Sequence, residues 1–117
     1  MGLEELRQKM AKLGRQFGAS MPDRVSELAD LVATARADRG DNGTLETARI
    51  KAHSMKGTAG TFGFHQASKL AGTIEKALVG LGEQSPIAGD DPAWENIGQH
   101  LDELRGLAHK ARSEGPT

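Results

Sequence analysis

His53, Lys56, Gly57 and Gly60 fall close together in the run AHSMKGTAGTFGF, from Ala52 to Phe64. A neutral imidazole is a nitrogen nucleophile at ordinary pH. A phosphoryl group attached to it would be strongly anionic, and a lysine three residues later on the same helical face can reach the phosphoryl oxygens. On an exposed surface that attraction amounts to about 1 kcal/mol. His53 is therefore expected to be indispensable, and Lys56 to tune the rate and the stability of the phosphorylated form. The two glycines look wasteful, because each costs roughly 1 kcal/mol relative to alanine inside a helix.

A helical projection gives them a use. At about 100° per residue, Ala48, Ala52, Met55, Ala59 and Phe62 make an apolar stripe facing a core. With His53 at zero, Arg49 falls at about −40°, Lys56 at about −60°, Gly57 at about +40° and Gly60 at about −20°. Imidazole, cations and glycines thus share a strip off the core side, where missing side chains let another body approach. Packing of the opposite face offsets the lost helix propensity. Arg49, Lys51 and Lys69 add local positive charge that would steer an acidic partner.

Four further segments repeat the same spacing of alternating three and four. They are Leu3, Leu6, Met10, Leu13 and Phe17; Val25, Leu28, Val32 and Ala35; Ala67, Leu70, Ile74, Ala77 and Leu81; and Trp94, Ile97, Leu101, Leu104, Ala108 and Ala111. No segment has the period of two that a strand requires. The spacing predicts an all-α chain. Ser20, Pro22 and Asp23 read as a helix start, as do Thr44 after the break at residues 40–43 and Asp91-Pro92 after a loop from Gly82. Gly63 reads as a helix stop. Short connections then give an antiparallel up-down four-helix bundle over 22–112, with an accessory N-terminal helix at 2–17 and a frayed tail at 113–117. On this reading Met10 and the leucine stripes are core.

The chain has 117 residues and a formal net charge of −1. That length suits one domain, and the charge provides no global attraction for nucleic acid or membrane. Without cysteine there is no disulfide or thiolate site. The charged, amphipathic start has no apolar signal-like run, and no stretch is long enough to span a bilayer, so a monomeric cytoplasmic domain is expected. His100 and His109 lack metal-pair spacing, His65 reads as a peripheral residue at a helix start, and no metal site is expected.

With His53, Lys56, Gly57 and Gly63 in place, the run from Ala52, continuing to Leu70, Ile74 and Glu75, resembles the histidine phosphotransfer (HPt) domains of two-component phosphorelays. The specific overlap covers about residues 45 to 78. Two positions depart from the family pattern: Ala67 stands where a larger aliphatic residue is usual, and Gly60 is smaller than its usual counterpart. The resemblance implies that a phosphoryl group moves between a receiver-domain aspartate and Nε2 of His53, with Lys56 supporting its charge. It also implies that the receiver supplies the Mg²⁺, and that Gly57, with Gly60, Arg49 and Lys69, belongs to the docking surface. No P-loop order is present, so the expected role is a carrier without kinase activity of its own. Two alternatives share the sequence: the phosphotransfer domain of a larger histidine kinase, phosphorylated directly by its kinase domain, and a non-catalytic helical adaptor. A small hydrolase using His53 as base would need a paired nucleophile or carboxylate, which no spacing supplies.

Overall fold

The computed structural model describes residues 2–38 and 42–116, and in it the chain forms four helices. They are α1 (Leu3–Ala37), α2 (Asn42–Thr61), α3 (His65–Gly82) and α4 (Pro92–Glu114). Each helix packs on its predecessor, and α4 closes the ring against α1. Gly14 lies against Phe62, Gly82 against Leu45 and Gly18 against Ala111, so consecutive helices run in opposite senses. The apolar stripes of the second half of α1 and of α4 point inward as the spacing requires, with Met21, Val25, Leu28, Ile97 and Leu104 among the most buried side chains. The core also takes in Phe64 from the α2–α3 turn and Ile87 from the α3–α4 loop, two residues outside any helical stripe.

The expected accessory helix at 2–17 does not exist as a separate element. Residues Leu3–Ala37 form one continuous helix with Pro22 inside it. Proline removes one backbone donor and crowds the carbonyl four residues back, a cost of about 3 kcal/mol. Here tertiary packing outweighs it: Phe17, Gly18, Met21 and Val25 are buried on both sides of the proline. Ser20, expected to cap a new helix, instead donates its hydroxyl to the Phe17 carbonyl at 2.8 Å and accepts from Arg24 Nε at 2.8 Å. A side chain bonding backward in this way continues a helix rather than starting one.

Other boundaries shift as well. The expected break at residues 40–43 lies partly outside the described residues, while Asn42 and Gly43 already belong to α2 and Thr44 is inside it rather than capping it. The tail is less frayed than expected: Ser113 and Glu114 are helical, and the Ser113 hydroxyl donates to the His109 carbonyl at 3.3 Å. Met10 and the first leucines are exposed rather than core.

The stop at Gly63 is as expected, with φ of +85°. The Phe64 amide reaches back to the Ala59 carbonyl at 2.8 Å and the Gly63 amide to Gly60 at 3.3 Å, the paired bonds that close a helix through a left-handed residue. That turn buries Phe64 against Phe17, ring centroids 5.7 Å apart. At the start of α4, Asp91 Oδ1 accepts from the Ala93 amide at 2.9 Å and Oδ2 from the Gln84 side chain at 2.7 Å.

These bonds, the Ala93 amide first, hold the Asp91 carboxyl below its ordinary pKa. A depressed carboxyl stabilises the fold above its unfolded pKa and loses that contribution as pH falls through the folded one. Asn is also a good cap and does not titrate. We expect the thermal midpoints of the parent and of Asp91→Asn to converge between pH 7 and pH 3; a gap that stays constant would remove the carboxylate from the cap's energetics.

Candidate functional site

His53 sits on the outer face of α2, with its side chain 67% exposed. Its Nδ1 lies 2.6 Å from Oε2 of Glu75 on α3, a carboxylate that is only 14% exposed. An ionised carboxylate has no hydrogen to give, so Nδ1 carries the proton and donates. In the neutral ring the lone pair then belongs to Nε2, which faces away from that bond. The packing of α2 on α3 therefore selects both the tautomer and the orientation of an otherwise mobile side chain.

Glu75 is held in turn. Arg49 Nη1 stands 4.0 Å from the same Oε2, while Arg49 Nε donates to Glu46 Oε2 at 2.9 Å. The bond to Glu46 raises the guanidinium's pKa, and the same contact lowers the Glu46 carboxyl. Arg49 is thus part of a charge network along α2 and α3, with its fork already engaged. Lys51 is also paired, through Nζ to Glu27 Oε1 on α1 at 3.1 Å.

Around the imidazole lies a shallow concavity lined by His53, Ser54, Gly57, Thr58, Thr61 and Phe62. A Cβ placed on Gly57 would meet nothing within 4 Å, so this glycine leaves bare backbone beside the ring. Gly60 differs. A Cβ there would come within 3.2 Å of the Ser68 hydroxyl, which itself donates to the Lys56 carbonyl at 2.8 Å. The open strip expected from the helical projection is open at Gly57, whereas at Gly60 the missing side chain lets α3 approach α2.

Lys56 is exposed, and its aliphatic stem crosses α3 over Gly72, where a Cβ would stand 3.2 Å from Lys56 Cδ. Gly72 is a seat for the lysine stem, which keeps the cation beside α3 on the His53 side of the bundle. Lys69 goes elsewhere: it lines a groove between α3 and α4 with Thr73, His100 and Lys110. His65 is exposed at the first position of α3, and the described residues contain no cluster of His, Cys, Asp or Glu that could hold a metal ion.

Glu75, Ser68 and Gly72 are the contributors that residue spacing on α2 does not reveal. Their signal lies one helix away. Ile74 faces the core, so Glu75, about 100° further round, falls on the edge of α3, and only the packing of the two helices turns that edge toward His53.

The family model for the Hpt domain matches residues 3–107. The chain belongs to the Hpt domain family. Hpt domains are histidine phosphotransfer domains of two-component signalling, and they interact with response-regulator receiver domains. The match reaches far beyond residues 45 to 78 and takes in all of α1. It thus treats as one domain the segment that the sequence divides at Pro22. No match came from comparison with curated proteins or with solved structures. Among the described residues of this Hpt domain, no helix is long and apolar enough to cross a membrane.

Proposed function

We propose that this Hpt domain is a phosphorelay intermediate, carrying a phosphoryl group on Nε2 of His53 between the aspartates of two receiver domains in the cytoplasm. The observation that carries the reading is the Nδ1 contact to Glu75 at 2.6 Å on a ring that is 67% exposed. It leaves a nucleophilic Nε2 directed at solvent beside the bare backbone of Gly57. In the transfer, the Nε2–P bond forms as the bond from phosphorus to the aspartyl oxygen breaks, and the aspartate leaves as carboxylate. The ring gains positive charge as Nε2 is phosphorylated, and Glu75, accepting from Nδ1, balances that charge at the far nitrogen. Lys56 supports the phosphoryl oxygens. The receiver, rather than this chain, would hold a Mg²⁺ that offsets the phosphoryl charge. The reverse sequence discharges His53 to the second receiver, so the chain acts as a carrier and needs no nucleotide site.

The direct test mixes this protein with receivers carrying labelled aspartyl phosphate. Rapid appearance of an acid-labile, alkali-stable label is expected, and ATP without a kinase gives none. Absence of label with every receiver tried, including those from the same cell, would leave a helical adaptor as the better account.

Glu75→Gln probes the positioning contact. An amide can donate to Nδ1 as well as accept from it, so the proton is no longer held on Nδ1, the tautomer that blocks Nε2 becomes available, and the negative charge facing the ring is lost. We expect transfer to slow by about 10- to 100-fold, the size of loss seen when the orienting partner of a metal-bound imidazole is removed. The ¹⁵N shifts of His53 should report the change of tautomer. Unchanged shifts and an unchanged rate would reduce Glu75 to a surface contact.

A further inference from the structure

α3 meets α2 in a single antiparallel register. Glu75 lies against His53, Gly72 against Lys56 and Ser68 against Gly60, so the steps of three and four between these residues on α2 recur in reverse on α3. The first pair orients the imidazole. The second has the same form, one turn along: a Cβ on Gly72 would have Lys56 Cδ, Cε and Cγ as its nearest neighbours, at 3.2, 3.5 and 3.8 Å. At Gly18 the nearest atoms include a backbone oxygen, the Ala111 carbonyl at 3.1 Å, as expected where one helix comes close to the backbone of another. Gly72 is buried although Lys56 is exposed, so the lysine stem roofs the glycine while its ammonium stays in water. α3 holds the backbone of the same residue, because the Ser68 hydroxyl donates to the Lys56 carbonyl at 2.8 Å. Among the described residues no carboxylate pairs with the Lys56 ammonium, whereas Arg49 is held by Glu46 and Lys51 by Glu27.

We propose that Gly72 is a positioning residue for phosphoryl transfer: its empty side-chain site holds the Lys56 stem so that the ammonium stands ready for the phosphoryl oxygens at His53. A side chain on a helix leans toward the helix N-terminus, and for Lys56 that direction leads back along α2 to His53. A lysine without this seat spreads its ammonium over many rotamers, and the fraction of time it spends beside His53 falls. The role rests on His53 as the phosphoryl acceptor. It makes α3 the element that presents both groups of α2, the imidazole through Glu75 and the ammonium through Gly72.

Phosphoramidate is the probe, because it needs no docked receiver: the Nε2–P bond forms as its P–N bond breaks, and ammonia leaves. Before any transfer, nuclear Overhauser cross-peaks between the Lys56 methylenes and the Gly72 α-protons should report the seat. Lys56→Ala should slow labelling of His53 by about fivefold, the upper end of what an exposed charge pair supplies. Gly72→Leu fills the site and should slow it by about the same factor, with unchanged helical circular dichroism. Gly72→Ala is the milder variant, which gains helix propensity; it should raise the thermal midpoint while slowing labelling by about twofold. The double substitution decides. Added to Lys56→Ala, Gly72→Leu should cost nothing further, since the stem it displaces is already gone. A glycine serving only the contact between helices would give the same loss with or without Lys56, and that result would overturn the proposal. Parental rates in Lys56→Ala or in Gly72→Leu, or absence of the cross-peaks, would overturn it too. An unlabelled parent would instead end the reading of His53, and with it the part of Gly72 in transfer.

Discussion

His53→Gln is expected to reduce labelling by a phosphorylated receiver below detection while leaving the fold intact. The substitution removes the only imidazole in the concavity beside Gly57, and the other histidines do not line it. His65 stands at the start of α3, and His100 and His109 are on α4. Glutamine preserves what holds the surface together, because its amide can donate to Glu75 Oε2 and leave that mostly buried carboxylate with a partner. Since His53 is exposed, little apolar burial is lost, and the stability change should stay within about 0.5 kcal/mol. Circular dichroism and thermal unfolding of parent and variant should therefore superimpose while transfer vanishes. Equal labelling of the two proteins would move the phosphorylation site elsewhere.

Gly57 should separate stability from activity. Its missing side chain leaves open space, so Gly57→Ala gains helix propensity with no clash and should stabilise the fold by about 0.5–1 kcal/mol. Gly57→Leu keeps most of that gain but projects four carbons into the surface beside the imidazole. A displacement of about 1 Å in an approaching reactant is enough to cost about 100-fold. We expect transfer from a phosphorylated receiver to fall by about that factor in Gly57→Leu. Labelling by a small donor such as phosphoramidate should change little, because His53 itself is untouched. The contrast with Gly60 sharpens the test. A methyl group at Gly60 would stand 3.2 Å from the Ser68 hydroxyl, so Gly60→Ala acts on the α2–α3 contact rather than on access. Parental transfer by Gly57→Leu would end the claim that the bare backbone serves docking.

α1 spans nearly the full 54 Å of the long axis, about 52 Å at the standard rise, whereas α2 covers about 30 Å. The bundle positions the imidazole, and the uncovered remainder of α1 carries apolar residues that no other described segment buries.

How much of this was written in the sequence differs from element to element. The stripes of α2 and α4, the left-handed stop at Gly63 and the Asp91-Pro92 start all follow from local rules: period, conformational freedom and the need to satisfy the first amides of a helix. His53 with Lys56 and Gly57 was equally legible, because residues on one helix have a geometry fixed by the helix alone. Pro22 was misleading for the same reason. Taken locally it marks a boundary, but Met21 and Val25 bury so completely on either side that the helix runs through it. Nor could the local pattern show that Leu3 to Leu13 would lack cover, since a seam looks the same whether or not something faces it. Glu75 was visible in the sequence only as part of the second-helix pattern of the resemblance; its contact with His53 belongs to the tertiary structure. Glu75 is 22 residues from His53, and only the rotation of α3 against α2, set by small residues at Gly60 and Gly72, decides which ring nitrogen is left free. Sequence supplied the proposed nucleophile and its helix; the contact between helices chose its tautomer, because hydrogen-bond direction depends on positions that no single helix can fix.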